Sequence, residues 1–206
     1  MAIDYGKYKA KPIIVDGVLF RSRLEATWAL FFNYMSWKWE YEPAIASEIF
    51  KGWLPDFALY TSQSPAPIYC EVKPVSQSDD VSEFVTKIAD SCLELNNVRA
   101  AILGDSLFSG RTARGYGLGM GWTSVIKNGE WMQWQMLMIE CICDRGYLEF
   151  DPILLEKTFQ GKWSAAEKKA KEAYNWTSSN DSMTFWLLDT AFDVREKQQI
   201  VINFNR

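Results

Sequence analysis

Between Met35 and Trp37 the spacing of apolar side chains changes its period, and that change restricts the folds open to this chain more than any other feature. From Arg21 to Met35 the residues Leu24, Trp28, Phe31, Phe32 and Met35 recur at three- and four-residue intervals, the repeat of a helix with one buried face. Trp37, Trp39 and Tyr41 then alternate with Lys38, Glu40 and Glu42, the two-residue repeat of a strand that is wet on one side, and Pro43 ends it. The chain therefore passes from a helix with one buried stripe directly into a strand with one wet face.

The next segments extend that sheet. A second strand is predicted over Trp53 to Tyr60 after the Lys51-Gly52 turn signal, and a third over Ile68 to Lys73 after Ser64-Pro65-Ala66-Pro67, so the three strands form a meander. Val81, Phe84, Val85, Ile88, Cys92 and Leu95 trace a helical stripe within Asp79 to Leu95, closed by Asn96-Asn97, and Arg99 to Gly104 is a short apolar strand. Strand, helix, strand implies a crossover, which makes the last two strands parallel neighbours. The expected fold is therefore α/β with a mixed sheet, in the order helix, three strands, helix, strand through residue 104.

Residues 105–206 are expected to form a mixed α/β extension packed on that core. Leu107 to Gly121 reads as a glycine-rich loop, and Asn128-Gly129 between apolar runs as a hairpin turn. Ser164-Ala-Ala-Glu167 has the form of a capping box opening a charged helix, and Gln198 to Phe204 that of a last strand. At 206 residues, one core with an appended subdomain is the natural expectation.

The chain contains no histidine. That excludes Ser-His-Asp and Cys-His nucleophile systems, histidine-dependent nuclease mechanisms and imidazole-ligated zinc, and leaves carboxylates, lysine, hydroxyls and thiols for any chemistry. The four cysteines, Cys70, Cys92, Cys141 and Cys143, do not make a disulfide framework in a chain of this size and fit a reducing compartment. Cys141-x-Cys143 reads as a pair of core residues rather than a metal site. The longest apolar run, Met136 to Cys143, is interrupted by Glu140 and is too short to span a bilayer, so a soluble, cytoplasmic protein without a membrane partner is expected.

Two acids and a lysine stand out inside apolar strand sequence. Pro55-Asp56 lies in the predicted second strand and Glu71-Val72-Lys73 in the third. Residues two apart on a strand share a face, so Glu71 and Lys73 project together, and strand pairing can bring Asp56 to them. Hard carboxylate oxygens suit Mg²⁺ or Mn²⁺, and a lysine beside them can position a water and offset negative charge at a phosphate. Each residue also has an ordinary reading: Asp56 as a strand end bonded to backbone, Glu71 and Lys73 as a solvated pair.

With Phe20-Arg-Ser-Arg-Leu-Glu25, Tyr41-Glu-Pro43, Leu54-Pro-Asp-Phe57 and Glu71-Val-Lys-Pro74 in this order, the chain resembles the PD-(D/E)XK nuclease superfamily over about residues 15–104. It is similar to small phage and bacterial members and to the catalytic domain of transposon end-cleaving endonucleases. The resemblance implies a restriction-endonuclease-like core over residues 1–104. It also implies a metal-dependent DNA endonuclease of phage, mobile-element or bacterial origin that acts in the host cell's cytoplasm if phage-encoded. Asp56, Glu71 and Glu25 would then be ligands of Mg²⁺ or Mn²⁺, and Lys73 the water-orienting residue. Glu25 has a second role open to it, since Ser22-Arg-Leu-Glu25 is itself a capping box. Glu42, in Tyr41-Glu-Pro43, is a lesser candidate.

Arg21, Arg23, Arg111 and Arg114 are the expected contacts to the DNA backbone, because guanidinium groups grip phosphates bidentately. Lys38 and Lys87 could join them or simply lie on solvated faces. The net charge of −4 opposes a nucleic-acid partner, although residues 1–75 balance at eight basic and eight acidic side chains. A homodimer, a larger nucleoprotein assembly such as a transposase, and a catalytically inactive nuclease-fold subunit all stay open. The ten tryptophans fall largely at core spacings, as at Trp28, Trp37 and Trp39, which favours packing over base stacking, with Trp122, Trp131 and Trp134 harder to assign.

Overall fold

The computed structural model describes residues 11–61, 64–112, 115–127, 130–131, 135–139 and 152–179. The chain opens with a hairpin of β1 (Ile13–Val15) and β2 (Val18–Phe20), Val15 pairing with Val18 across Asp16-Gly17. Both turn residues have positive φ, 51° and 80°, the geometry in which a two-residue Asp-Gly turn matches the twist of its strands.

Helix α1 (Arg23–Tyr34) follows, its N-terminus closed by the Ser22 side chain accepting from the Glu25 N–H at 3.1 Å. Then come β3 (Lys38–Tyr41), a short helix α2 (Ala46–Ile49), β4 (Phe57–Thr61), β5 (Ser64–Val72), α3 (Ser82–Ser91) and β6 (Val98–Thr112). The three strands β3, β4 and β5 form the expected antiparallel meander, with Tyr41 opposite Phe57 and Phe57 opposite Cys70. After the α3 crossover, β6 lies parallel to β5, as the strand-helix-strand order requires. With β7 (Gly115–Lys127), β8 (Glu130–Trp131) and β9 (Gln135–Met138), the sheet has seven strands and mixed direction.

Alternation along the strands sends apolar side chains to both faces, so the sheet is the middle of three layers. On one face Ile68, Cys70, Val72, Ala101 and Leu103 meet the aromatic stripe of α1, and α4 (Pro152–Ser179) packs beside it. Trp28 of α1 stacks obliquely on Trp163 of α4 with ring centres 4.5 Å apart, and its indole N–H donates to the Gly104 carbonyl at 2.9 Å. On the other face Ala100, Ile102 and Ile126 meet α2, α3, Phe50 and Trp53. Strand β6 runs unbroken through residue 104, and the first buried cluster draws on residues from Ile13 to Ala170.

Several sequence expectations need correction. Leu107 to Gly121 is not a loop: it forms the ends of β6 and β7, paired from Phe108–Gly119 to Thr112–Gly115. Glycine there serves close strand approach, since a Cβ on Gly121 would lie 1.9 Å from the Ile102 carbonyl oxygen. Ser164 does not cap a helix but sits mid-way along α4, whose buried face is Phe159, Trp163, Ala166 and Ala170. The second strand begins at Phe57 rather than Trp53, and the third ends at Val72, so Asp56 and Lys73 lie just outside them. The helix expected over Asp79 to Leu95 is shorter, and β6 is longer than Arg99 to Gly104.

The Asn128-Gly129 turn, Cys141, Cys143, Trp134 and the strand expected over Gln198 to Phe204 lie outside the described residues, although Lys127 pairs with Glu130. Cys70 and Cys92 are buried free thiols that burial holds well above the usual range, as core residues rather than reactive ones. No described helix is long and apolar enough to cross a membrane.

Candidate functional site

At one end of the sheet the finish of β3, the start of β4 and the finish of β5 lie side by side, and the N-terminus of α1 is brought to the same place. Glu42, just past β3, has φ 43°, a left-handed conformation uncommon for a residue with a side chain, and its N–H donates to the Asp56 carbonyl at 2.9 Å. This bond extends the β3–β4 ladder one step beyond Tyr41–Phe57. Asp56 itself is buried. Its Oδ2 accepts from the Val72 N–H at 2.7 Å, and its Oδ1 forms an ion pair with the Arg21 guanidinium.

Glu25 is buried in the first turn of α1, where the helix dipole favours a negative charge. Its Oε1 accepts from the Ser22 hydroxyl at 2.9 Å, while Oε2 accepts from the Tyr41 hydroxyl at 2.6 Å and the Arg21 N–H at 3.1 Å. The capping box foreseen in Ser22-Arg-Leu-Glu25 is therefore present with a difference: the glutamate reaches beyond the cap to Arg21 and to β3. Capping and membership of the acid cluster coexist.

Glu71 and Lys73 do share a face, with Lys73 Nζ 2.8 Å from Glu71 Oε1 and 5.5 Å from the ring centre of Phe84 on α3. The other Glu71 oxygen, Oε2, accepts from the Trp53 indole N–H at 2.8 Å. Trp53 and Tyr41 were not foreseen as site residues. The available signal was chemical: a buried indole or phenol has to find a polar partner, and these two find Glu71 and Glu25.

Arg21 belongs to this cluster as well, with Nε 3.2 Å from Glu42 Oε1 and 3.8 Å from Glu25 Oε2. Burial alone would depress its pKa, but the surrounding carboxylates, Asp56 first, outweigh that and hold the guanidinium firmly charged. The Asp56 carboxyl is nonetheless pushed up to about 7, first by burial and then by the charges of Glu71 and Glu25, which the Val72 N–H and Arg21 only partly offset. Tyr41 is likewise held far above its ordinary range by burial and by Glu25.

The other expected contacts are elsewhere. Arg23 lies 5.8 Å over the ring of Tyr174 on α4, Lys38 stands 4.9 Å over the Tyr60 ring, and Lys87 is exposed on α3. The side chain of Arg111, on β6, and the whole of Arg114 lie outside the described residues.

Four carboxylates (Glu25, Glu42, Asp56, Glu71) thus meet two cations, Arg21 and Lys73. Surplus negative charge from hard oxygen donors, on a bed with a buried carboxyl pushed up to about 7, fits a divalent cation of the Mg²⁺ or Mn²⁺ type. As the side chains stand, no group of three or more carboxylates or thiols among the described residues is arranged to hold a metal ion. Asp56, Glu42 and Glu25 converge instead on a guanidinium. Comparison with known protein families, with curated proteins and with solved structures finds no match to this chain.

Proposed function

We propose that the chain is a metal-dependent DNA endonuclease of the PD-(D/E)XK kind, with a restriction-endonuclease-like core hydrolysing phosphodiester bonds. The observation that carries this reading is the buried Asp56 carboxylate beside the Glu71–Lys73 pair on the neighbouring strand, within electrostatic reach of Glu25. A meander that passes into a parallel crossover, with the acids at the carboxyl end of β5, supports it further.

Asp56, Glu71 and Glu25 would hold a Mg²⁺ or Mn²⁺ ion, which when bound supplies positive charge at the scissile phosphate and a more acidic water. Lys73, tethered to Glu71, donates to the attacking water's oxygen and sets it in line while its charge offsets the developing anion. Trp53 fixes the second oxygen of Glu71, so that this carboxylate keeps one orientation. Arg21 and Arg23 near the start of α1, together with Arg111 and Arg114, would meet backbone phosphates.

A second reading is favoured by the Arg21–Asp56 ion pair: a nuclease-fold DNA-binding subunit that is inactive alone or cuts only inside a larger assembly such as a transposase. Titrating Mg²⁺ and Mn²⁺ against supercoiled, branched and linear DNA separates the two. Wild type is expected to nick, whereas Asp56→Asn, which keeps an acceptor for the Val72 N–H, and Lys73→Ala do not. Equal cutting by all three proteins sinks the site assignment. No cutting by wild type, together with a Mn²⁺-dependent rise in Tm that Asp56→Asn abolishes, favours the partner-dependent subunit.

A further inference from the structure

The acids of the cluster are anchored by the protein, but Arg21 is anchored mainly by the acids. Asp56 and Glu25 have side chains only 4% and 9% exposed, tied to the Val72 N–H, the Ser22 hydroxyl and the Tyr41 hydroxyl. The Arg21 side chain is 53% exposed, and its polar contacts are Asp56, Glu42 and Glu25. Its main chain is fixed separately, the N–H donating to Glu25 Oε2 and to the Tyr41 hydroxyl at 3.2 Å. The side chain can therefore swing into solvent while the backbone that caps α1 stays in place. Glu42, held in a left-handed conformation, meets the same guanidinium, so three elements of the fold direct oxygens at one exposed cation.

We propose that Arg21 is an internal counter-ion that gathers Asp56, Glu42 and Glu25 in the metal-free protein and leaves them when a divalent cation binds. This inference rests on the nuclease reading of the site. A single guanidinium charge cannot neutralise three carboxylates, and a divalent ion admitted beside it would face direct repulsion at short range. An exposed arginine relieves that repulsion by rotating away, which a buried one could not do.

Mn²⁺ binding to the full chain without DNA, measured by calorimetry for wild type, Arg21→Gln and Asp56→Asn, tests this. If Arg21 competes with the metal, Arg21→Gln binds Mn²⁺ about tenfold more tightly than wild type, while the metal-free variant melts at a lower temperature. Unchanged or weaker Mn²⁺ binding by Arg21→Gln overturns the exchange, making Arg21 a spectator or a group that orients the ligands. Absence of Mn²⁺ binding to wild type, or equal binding by Asp56→Asn, instead removes the metal reading beneath it. Should Arg21→Gln fail to fold, the side-chain Nε–H resonance of Arg21 in wild type decides the matter. Movement to the position of a free arginine on adding Mg²⁺ supports exchange, and retention of the ion-paired position overturns it.

Discussion

On the helix side of the cluster Glu25, Glu42 and Asp56 share one half-exposed guanidinium, whereas on the strand side Glu71 lies between Lys73 and the buried indole of Trp53. The first set meets at one half-exposed counter-ion, and within it Asp56 and Glu25 also keep donors of their own in the Val72 N–H and the Ser22 and Tyr41 hydroxyls. The second is held by a buried donor and by a lysine two residues along the chain, both built into the fold. Carboxylates gathered on a half-exposed cation and a carboxylate fixed by a buried donor and a neighbouring lysine thus stand side by side in one cluster.

The sharpest way to break this contrast is to neutralise one acid on each side. On the proposed nuclease reading, Glu71→Gln is expected to reduce cleavage by about 10²- to 10⁴-fold, because Glu71 would hold the metal and also pairs with Lys73. Glu42→Gln, whose side chain is partly exposed and pairs with the half-exposed Arg21, should cost less than about tenfold. Single-turnover rates with saturating Mg²⁺ check both, and equal losses would erase the distinction between the two sides.

The next effect is a pH dependence centred on Asp56, which feels both Glu71 and Glu25. The Asp56 carboxyl is raised to about 7 in the folded chain, against about 4 in an unfolded one, so the native state keeps a proton that the unfolded state has lost. The stability it contributes is complete below about pH 4 and is withdrawn as pH rises through about 7. Metal-free wild type should melt lower at about pH 8 than at about pH 5, by on the order of 5 °C, and Asp56→Asn should flatten that slope. A flat wild-type profile would mean that Arg21 alone satisfies Asp56.

The smallest expected effects sharpen the comparison further. Trp53→Phe keeps most of the packing against Phe50 but removes the donor to Glu71, and should lower stability by about 2 kcal/mol in chemical denaturation. Tyr41→Phe removes the hydroxyl from Glu25, which retains the Ser22 hydroxyl and the Arg21 N–H, and should cost about 1 kcal/mol. A larger loss for Tyr41→Phe than for Trp53→Phe would make the Glu25 anchor the stronger of the two.

Much of this arrangement was legible before any coordinates, for identifiable reasons. The change of period at Met35 marked α1 and β3, and the strand-helix-strand order gave the parallel β5–β6 pair, because apolar spacing reports directly which face of an element is buried. The β6–β7 pairing was illegible because Gly115, Gly117, Gly119 and Gly121 have the composition of a loop, and only the position of the neighbouring strands shows why a side chain is excluded at Gly119 and Gly121. The start of α4 was misplaced because Ser164 and Glu167 fit a cap, although Phe159 and Trp163 already carry the buried stripe in front of them. Of the cluster, Asp56, Glu71 and Lys73 were expected from residue type and strand spacing, whereas Glu25 entered through the family resemblance and its own spacing read only as a helix cap. Arg21 was expected on phosphate, since nothing in a linear pattern shows that three acids will converge on it.

The packing of α4 on α1 also sets an order of assembly. Arg21, Glu25, Glu42, Asp56, Glu71 and Lys73 all precede residue 74, so the acid cluster can form from an early stretch of the growing chain. Trp28 and Phe31 receive Trp163 only much later, and Lys162 reaches the Tyr34 carbonyl across 128 residues. At a typical pace of about 5 to 20 residues per second, the aromatic face of α1 would wait several seconds on the ribosome for its cover. During that interval the part of the Trp28 and Phe31 surface that Trp163 later covers would stay open to solvent, an exposure that a chaperone would shield.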